Sequence, residues 1–485
     1  MVSDMTDVAD MTDVVETARA AMRRGDGDAF AVLLSRHPLE LWFGMHSSEL
    51  QMMADHGGEA DPEWVDPGTL MLQMMTPRGL PVDAADTGDP VQRDMVAFAR
   101  AAGLRLNGDP VGALKILRDL EVIRAPAIHL VDPSRGLRAF AVLQAGVTAM
   151  LAGEFTAALA MFDKSLVYPT SPALAFFNRD AHLRSAIIHA LHGDRAQAQA
   201  RCEAAQAVPR TSSWAEDLLD VDERLVCALL RPDIEAEEAF GELLAIPIPA
   251  MHELWPFYVT ATHRLGVISG QRGALRARID QFDAMGLIGA EGTGIPGVTL
   301  PAVRMIDAIL AGEAPRDEDI AVATRVSVLG ALWATVTGDA DRGAELAEAG
   351  ADRPWVLPQT ENLRLVVAAF AHDARGDAAA AHEALTRAAP HIDGFAYALL
   401  NSVAPALSAR AALTVEGWPA PTVAVSAREV EVLAALAQGA TRTEIAQRLF
   451  VSVNTVKSHQ RSLYRKFEVN TKADAIREGH RRGLL

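Results

Sequence analysis

The 485-residue sequence predicts an all-α protein, a solenoid of stacked helical pairs followed by a four-helix domain centred on a helix-turn-helix. Three observations carry this expectation. Glycine turns recur roughly every 40 residues between Ala-rich helical stretches, the mark of a helical-pair solenoid. Hydroxyl residues followed three positions later by carboxylates open short helices near the C-terminus, as capping boxes do. Alternation of strand-like and helical segments is missing, which argues against a phospho-acceptor receiver domain.

Residues 1–94 read as an N-terminal helical region. Met1 to Glu16 is acidic and lacks the basic and apolar segments of a signal peptide. No apolar run approaches the ~18 residues that span a bilayer, so a cytoplasmic protein without membrane contact is expected. Helices over 12–36 flank Gly25-Asp26-Gly27-Asp28. From His37 to Asp94 the pattern loosens: Met45, Met52, Met53, Met71, Met74 and Met75 stand with Trp42 and Trp64, interrupted by Pro62, Pro67, Pro77 and Pro81. Such adaptable and large side chains line a ligand pocket or fill an irregular core, and the sequence leaves both open. Half the residues are hydrophobic, enough for sizeable cores, and the only two cysteines, Cys202 and Cys227, read as reduced buried thiols.

Residues 95–413 carry the repeat. Leu106-Asn107-Gly108-Asp109, Leu151-Ala152-Gly153-Glu154 and Leu191-His192-Gly193-Asp194 each precede an Ala-rich segment, and Gly270, Gly312, Gly338 and Gly376 continue the series. Successive glycines are 45, 40, 77, 42, 26 and 38 residues apart, with Arg231-Pro232-Asp233 in the middle of the longest step. Glycine supplies the tight turn, and small Ala side chains let helices approach. Val208-Pro209, Ile246-Pro247-Ile248-Pro249 and Ala389-Pro390 stop second helices. The step of 26 points to a shortened pair or to a different turn around Ala314 to Asp319. The pattern resembles degenerate tetratricopeptide repeats of longer period, and such a stack offers a concave surface to a small-molecule or protein effector. The acidic clusters Glu235, Glu237, Glu238 and Asp317, Glu318, Asp319 read as solvated faces or as an attraction for a basic partner. Glu416-Gly417-Trp418-Pro419-Ala420-Pro421 marks a linker over 414–424, stiffened by prolines.

Residues 425–485 form the last domain. Ser426 with Glu429, Thr441 with Glu444 and Thr471 with Asp474 open three helices; Gly439 closes the first, and Ser452 is the N-cap of one more. Only Phe450 to Ser452 separates the second helix from the third, which makes them a helix-turn-helix, a unit whose second helix commonly lies in the DNA major groove. At about 100° per residue, Val453, Val456, Gln460, Leu463, Tyr464 and Phe467 share one side of this helix, with Asn454, Lys457, Ser458, Arg461 and Arg465 opposite. Charge divides in parallel. From Thr422 onward 11 Lys and Arg stand against 6 Asp and Glu, whereas the rest of the chain has 34 against 57. An acidic body repels phosphate, so contact with double-stranded DNA is confined to the tail.

Ser-Ala-Arg-Glu-Val-Glu-Val-Leu over 426–433, Gly439, Glu444-Ile445-Ala446, Leu449, Ser452-Val453-Asn454-Thr455-Val456-Lys457-Ser458-His459, Tyr464-Arg465-Lys466, Ala475 and Gly483-Leu484 together resemble the LuxR-type (NarL/FixJ-type) DNA-binding domain. The resemblance implies base-edge contacts from Lys457, Ser458 and Arg461. It also implies phosphate contacts from Thr441, Arg442, Thr455 and Lys466, and a homodimer through the fourth helix. Arg465 joins the backbone contacts from its place on the cationic face. Ser458 stands where the family often carries an apolar or threonine side chain, and Glu468-Val469 where a glycine is usual.

Catalytic chemistry is not signalled. Gly108 to Lys115 imitates only the glycine spacing of a phosphate loop, His252-Glu253 has no second His four residues on, and the pairs His182/His189 and His189/His192 run into a turn. No enzyme activity, cofactor or metal site is expected. Large LuxR-type regulators with helical repeats resemble this chain but carry an ATPase, whose phosphate loop is missing here. The expected function is transcription regulation, with the helical-repeat domain sensing a ligand or protein partner and controlling a dimeric C-terminal helix-turn-helix. The alternative is a protein-interaction scaffold whose last helices dimerise without binding DNA.

Overall fold

Most of the repeat's Gly turns reverse the chain between two helices. Glycine ends the first helix in the left-handed region, with φ of 88° at Gly108 and 86° at Gly376, where a side chain is strained. The aspartate that follows caps the second helix: Asp377 accepts from the Ala380 amide at 3.0 Å, Asp339 from Arg342 at 3.1 Å and Asp194 from Gln197 at 3.0 Å. Gly193 answers a different constraint. Its φ is −107°, and a Cβ there would stand 2.6 Å from His189 Nδ1.

The computed structural model describes residues 11–45, 49, 90–118, 136–287, 289–349, 357–419, 427–449, 451–467 and 469–481. Among them every regular element is helical, as the sequence predicts. Helices α1 (Met11–Arg24), α2 (Gly27–Arg36) and α3 (Pro38–Gly44) come first. The pairs that follow are α4 (Pro90–Leu106) with α5 (Pro110–Arg118), α6 (Leu137–Ala152) with α7 (Phe155–Val167), α8 (Phe176–His192) with α9 (Arg195–Ala207), and α10 (Ala215–Leu229) with α11 (Ala236–Leu244). Then come α12 (Trp255–Ile268) with α13 (Arg272–Ala284), α14 (Gly294–Ala311) with α15 (Asp317–Ala323), α16 (Ser327–Val336) with α17 (Ala340–Glu348), α18 (Pro358–Ala374) with α19 (Ala378–Ala388), and α20 (Gly394–Val403) with α21 (Pro405–Thr414). The 26-residue glycine step is a shortened pair, because α15 has only 7 residues. A 3-10 turn over Asp233–Glu235 joins α10 to α11, where the glycine series skips a member.

Their apolar faces merge into one core that runs from Val14 in α1 to Leu399 in α20. The N-terminal helices belong to it. Phe43 packs edge-on against Phe140, Phe176 and Phe177, with centroids 5.8, 4.9 and 5.5 Å away, and Trp214 Nε1 donates to the Trp42 carbonyl at 2.9 Å. Met45 is buried in this cluster, whereas Met52, Met53, Trp64, Met71, Met74 and Met75 lie outside the described residues.

Pairs far apart in the sequence also touch. The Thr293 amide donates to the Gly108 carbonyl at 2.9 Å, and Thr293 Oγ1 donates to Asp109 at 2.6 Å. Gly108 and Gly289 meet backbone to backbone: a Cβ on Gly108 would lie 2.3 Å from Gly289 Cα. The phosphate-loop-like spacing there therefore has a structural use, with Gly112 donating to Asp109 at 2.9 Å. Farther along, Arg264 of α12 pairs with Asp393 at the start of α20, 3.4 Å away.

Charge is tied up inside the body. Arg231 pairs with Glu235, Glu238 and Glu242, and Arg304 with Asp319, while Glu238, Asp317 and Glu318 stay exposed to solvent. Arg105 pairs with Glu253 at 3.0 Å, Arg184 with Asp180, and Tyr258 donates to Asp222 at 2.8 Å. Burial, with the push of Asp180 and against the pull of Arg184, raises the Asp222 carboxyl to about 6. Among the described helices α14 is long and apolar enough to cross a bilayer. Its Leu300, Val303 and Met305 lie in the core, Arg304 pairs with Asp283, and Asp307 pairs with Arg276.

A second cluster closes the body's C-terminal end, joining Leu365, Ala381, Leu400 and Leu407 to Val415 and Trp418. The front of the expected 414–424 linker is thus packed on α18 to α21. Residues 420–424 lie outside the described residues.

Two outcomes follow from this packing. Gly376→Ala meets nothing within 4 Å and loses only the cost of a left-handed alanine, roughly 1 kcal/mol. Gly108→Ala adds a backbone collision and shows a distinctly larger loss in urea unfolding. Asp222, with a folded pKa above its ordinary value, costs stability as pH rises from about 4 through about 6. Asp222→Asn removes that cost, so its stability advantage over wild type grows across that window by on the order of 2–3 kcal/mol, read by thermal unfolding at pH values on either side.

Candidate nucleic-acid interface

The C-terminal domain is built from α22 (Ala427–Ala437), α23 (Arg442–Arg448), α24 (Val453–Phe467) and α25 (Lys472–Arg481). Polar caps set their starts. At α23 the box is reciprocal: the Glu444 amide donates to Thr441 Oγ1 at 3.3 Å, and the Thr441 amide donates to the Glu444 carboxylate at 2.7 Å. The Thr441 amide and hydroxyl, both donating to the Glu444 carboxylate, hold it below its ordinary range. Ser452 Oγ accepts from the Thr455 amide at 3.0 Å to open α24, and Thr471 Oγ1 accepts from Asp474 at 3.1 Å to open α25. Ser426, expected to cap α22, lies outside the described residues.

Two apolar clusters grip one side of α24. Val456 packs with Val432, Leu436, Ile445 and Ala446, while Leu463 and Phe467 pack with Leu433 and Ala475. The helical wheel placed Val453 on this side too, but it is 44% exposed and belongs to neither cluster. It sits at the first position of the helix, where the chain is still entering from the turn.

The opposite side is open. Lys457, Ser458 and Arg461 are exposed, and among the described residues no hydrogen bond or ion pair engages their side chains. The other predicted contacts are differently placed. Arg442 donates through Nε to Gln460 Oε1 at 2.7 Å, and Gln460 Nε2 donates to the Tyr464 hydroxyl at 2.7 Å. The Thr455 hydroxyl shares a hydrogen bond with Ser452 at 2.8 Å. Lys466 Nζ pairs with the buried Glu429 carboxylate at 2.6 Å. Thr441 is exposed at the start of α23, and Arg465 lies on α24 with its side chain outside what is described. Gln460 was placed on the packed side by periodicity alone. Its role emerges only from the fold: buried itself, it aims Arg442 along the flank of α24. A polar amide within an apolar stripe was the one sequence signal of that role.

Among the described residues no group of three or more His, Cys, Asp or Glu side chains is arranged to hold a metal ion. His192 instead stacks on Phe155 at 4.2 Å, and burial pushes it down to about 3.

Residues 423–478 match the luxR family of bacterial regulatory proteins. This segment is a LuxR-family helix-turn-helix domain. The chain is similar to the transcriptional activator RamA of Corynebacterium glutamicum, 41% identical over 64 residues that make up 13% of this chain and 23% of that protein. It is 48% identical over 56 residues to the probable regulatory protein SgaR of Hyphomicrobium methylovorum, covering 12% of this chain and 26% of that one. The probable regulatory protein NarL of Mycobacterium tuberculosis is 42% identical over 84 residues, 17% and 39% of the two chains. The chain thus spans well under half the length of each of these curated relatives.

The LuxR-family domain depends on its α23 cap. Thr441→Ala removes a side-chain acceptor from the helix start and lowers the stability of the domain by about 1 kcal/mol, whereas Thr441→Ser retains most of it. Thermal unfolding followed at Tyr464 reads both.

Proposed function

We propose that this chain is a transcription regulator that lays α24 in the major groove of double-stranded DNA. The observation that carries the reading is the pair of exposed cations Lys457 and Arg461, without a partner among the described residues and with Ser458 between them, on the second helix of a LuxR-family domain. Among the described residues, arginines of the body such as Arg179, Arg231 and Arg304 are paired with carboxylates, whereas these two side chains are available to a ligand. Long cations of this kind match the acceptor pair on a guanine edge, and Ser458 adds a weaker contact. Thr441, Arg442, Thr455, Arg465 and Lys466 hold phosphates and set register. Arg442 is already oriented by Gln460; Lys466 engages phosphate while sharing its charge with Glu429.

In this reading the chain divides into residues 1–94, the helical repeats 95–413, a linker 414–424 and the DNA-binding domain 425–485. The repeats receive a small-molecule or protein effector, α25 makes a homodimer, and the whole acts in the cytoplasm without catalysing a reaction. The net positive tail on an acidic body supports the assignment of DNA contact to the last domain alone.

Arg461→Ala costs roughly 1–3 kcal/mol on the preferred site and much less on scrambled DNA. Equal losses on both sequences would remove Arg461 from base reading. For the wild type, log affinity falls linearly with log salt, at a slope of roughly −0.9 per phosphate neutralised. A chain that gives no electrophoretic shift even at low salt is the interaction scaffold instead.

A further inference from the structure

The fold brings the chain's only two cysteines together. Cys202 lies on α9 and Cys227 on α10, the last helix of one pair and the first of the next. Three contacts between these antiparallel segments set their register. Arg210 grips Asp220 with two hydrogen bonds of 2.6 and 2.8 Å, and Gln206 donates to Glu223 at 2.9 Å. One turn farther along both helices the same register sets Cys202 opposite Cys227. Cys202 is buried, and Cys227 is exposed. Cys227 is therefore the residue that a solute reaches, while Cys202 is covered.

We propose that Cys227 and Cys202 form a peroxide-oxidisable dithiol, with Cys227 as the attacking thiol and Cys202 as the resolving one. In the first step the Cys227 thiolate attacks one oxygen of a hydroperoxide. The O–O bond breaks, the sulfur becomes a sulfenic acid, and the departing oxygen takes a proton and leaves as an alcohol, or as water from hydrogen peroxide. In the second, the Cys202 sulfur attacks the Cys227 sulfur, a disulfide forms, and the sulfenic oxygen leaves as water with the Cys202 proton. The two thiols are oxidised by two electrons and one peroxide is reduced. The setting suits this division. The neighbouring Cys202 thiol favours the Cys227 thiolate, as does Arg231, against burial and the opposing charges of Glu223 and Glu242; together they bring Cys227 down to about 7. The Cys202 thiol is pushed up by the neighbouring Cys227 and by burial, so it stays protonated until a sulfenic acid is in reach. The product is a covalent rung between the α8–α9 and α10–α11 pairs. This inference is independent of DNA binding.

The full-length protein is treated with a small excess of hydrogen peroxide, alkylated, and read by intact mass and by peptide mapping without reductant. The expected result is a loss of two hydrogens, one intramolecular link joining the Cys202 and Cys227 peptides, and reversal by dithiothreitol. Cys202→Ala stops at a Cys227 sulfenic acid trapped by dimedone, and Cys227→Ala leaves Cys202 unmodified. If either variant fails to fold, the wild-type map decides alone. Wild-type protein in which Cys227 passes to sulfinic or sulfonic acid while Cys202 stays free, or which links only into covalent dimers, or whose thiols both survive the treatment, would overturn the proposal.

Discussion

A chain that stacks helical pairs has to reverse direction within a few residues, many times, without leaving helix ends unsatisfied. Glycine in the left-handed region closes one helix, and the neighbouring aspartate caps the next, so a single dipeptide does both jobs at Gly338-Asp339 and Gly376-Asp377. Everything else in the body depends on these reversals. They keep each pair of helices antiparallel and present their small-residue faces to one another. That lets Ala158, Ala186, Ala228 and Ala261 lie fully buried in a core that no single pair encloses.

The C-terminal domain sorts its cations by the work they do. Lys466 is paired with a buried glutamate and Arg442 is held by a glutamine, while Lys457 and Arg461 are left unengaged on the exposed side of the same short domain. Rigid caps at Thr441 and Ser452 and two apolar grips on α24 fix where those free side chains project. Little ordering of the backbone then remains when a partner binds, which is the usual benefit of a preorganised recognition helix.

Local chemistry was legible in the sequence and distant pairing was not. The Gly-Asp turns and the capping box at Thr441 were readable, because each is decided by residues within four positions. The contact between Thr293 and Asp109 joins residues 184 apart and left no periodic trace. Nor did the fusion of α1 to α3 with the repeat core, which rests on aromatic contacts such as Phe43 with Phe176. In the candidate interface the wheel assigned Val456, Leu463 and Phe467 to the packed side. It misplaced Val453 because periodicity takes no account of where a helix begins. It also had no means of showing that Gln460 bridges two helices.

The meeting of Gly108 with Gly289 and Thr293 changes the kind of polymer the body is. An open array of repeats melts as a one-dimensional lattice, fraying inward from whichever end is weaker, because each unit touches only its neighbours. Here the first pair is stitched to the loop ahead of the sixth, so an end cannot peel away without also releasing a junction far along the chain. The consequence is cooperativity of a globular sort, in which the N-terminal half of the array opens as one unit or stays closed.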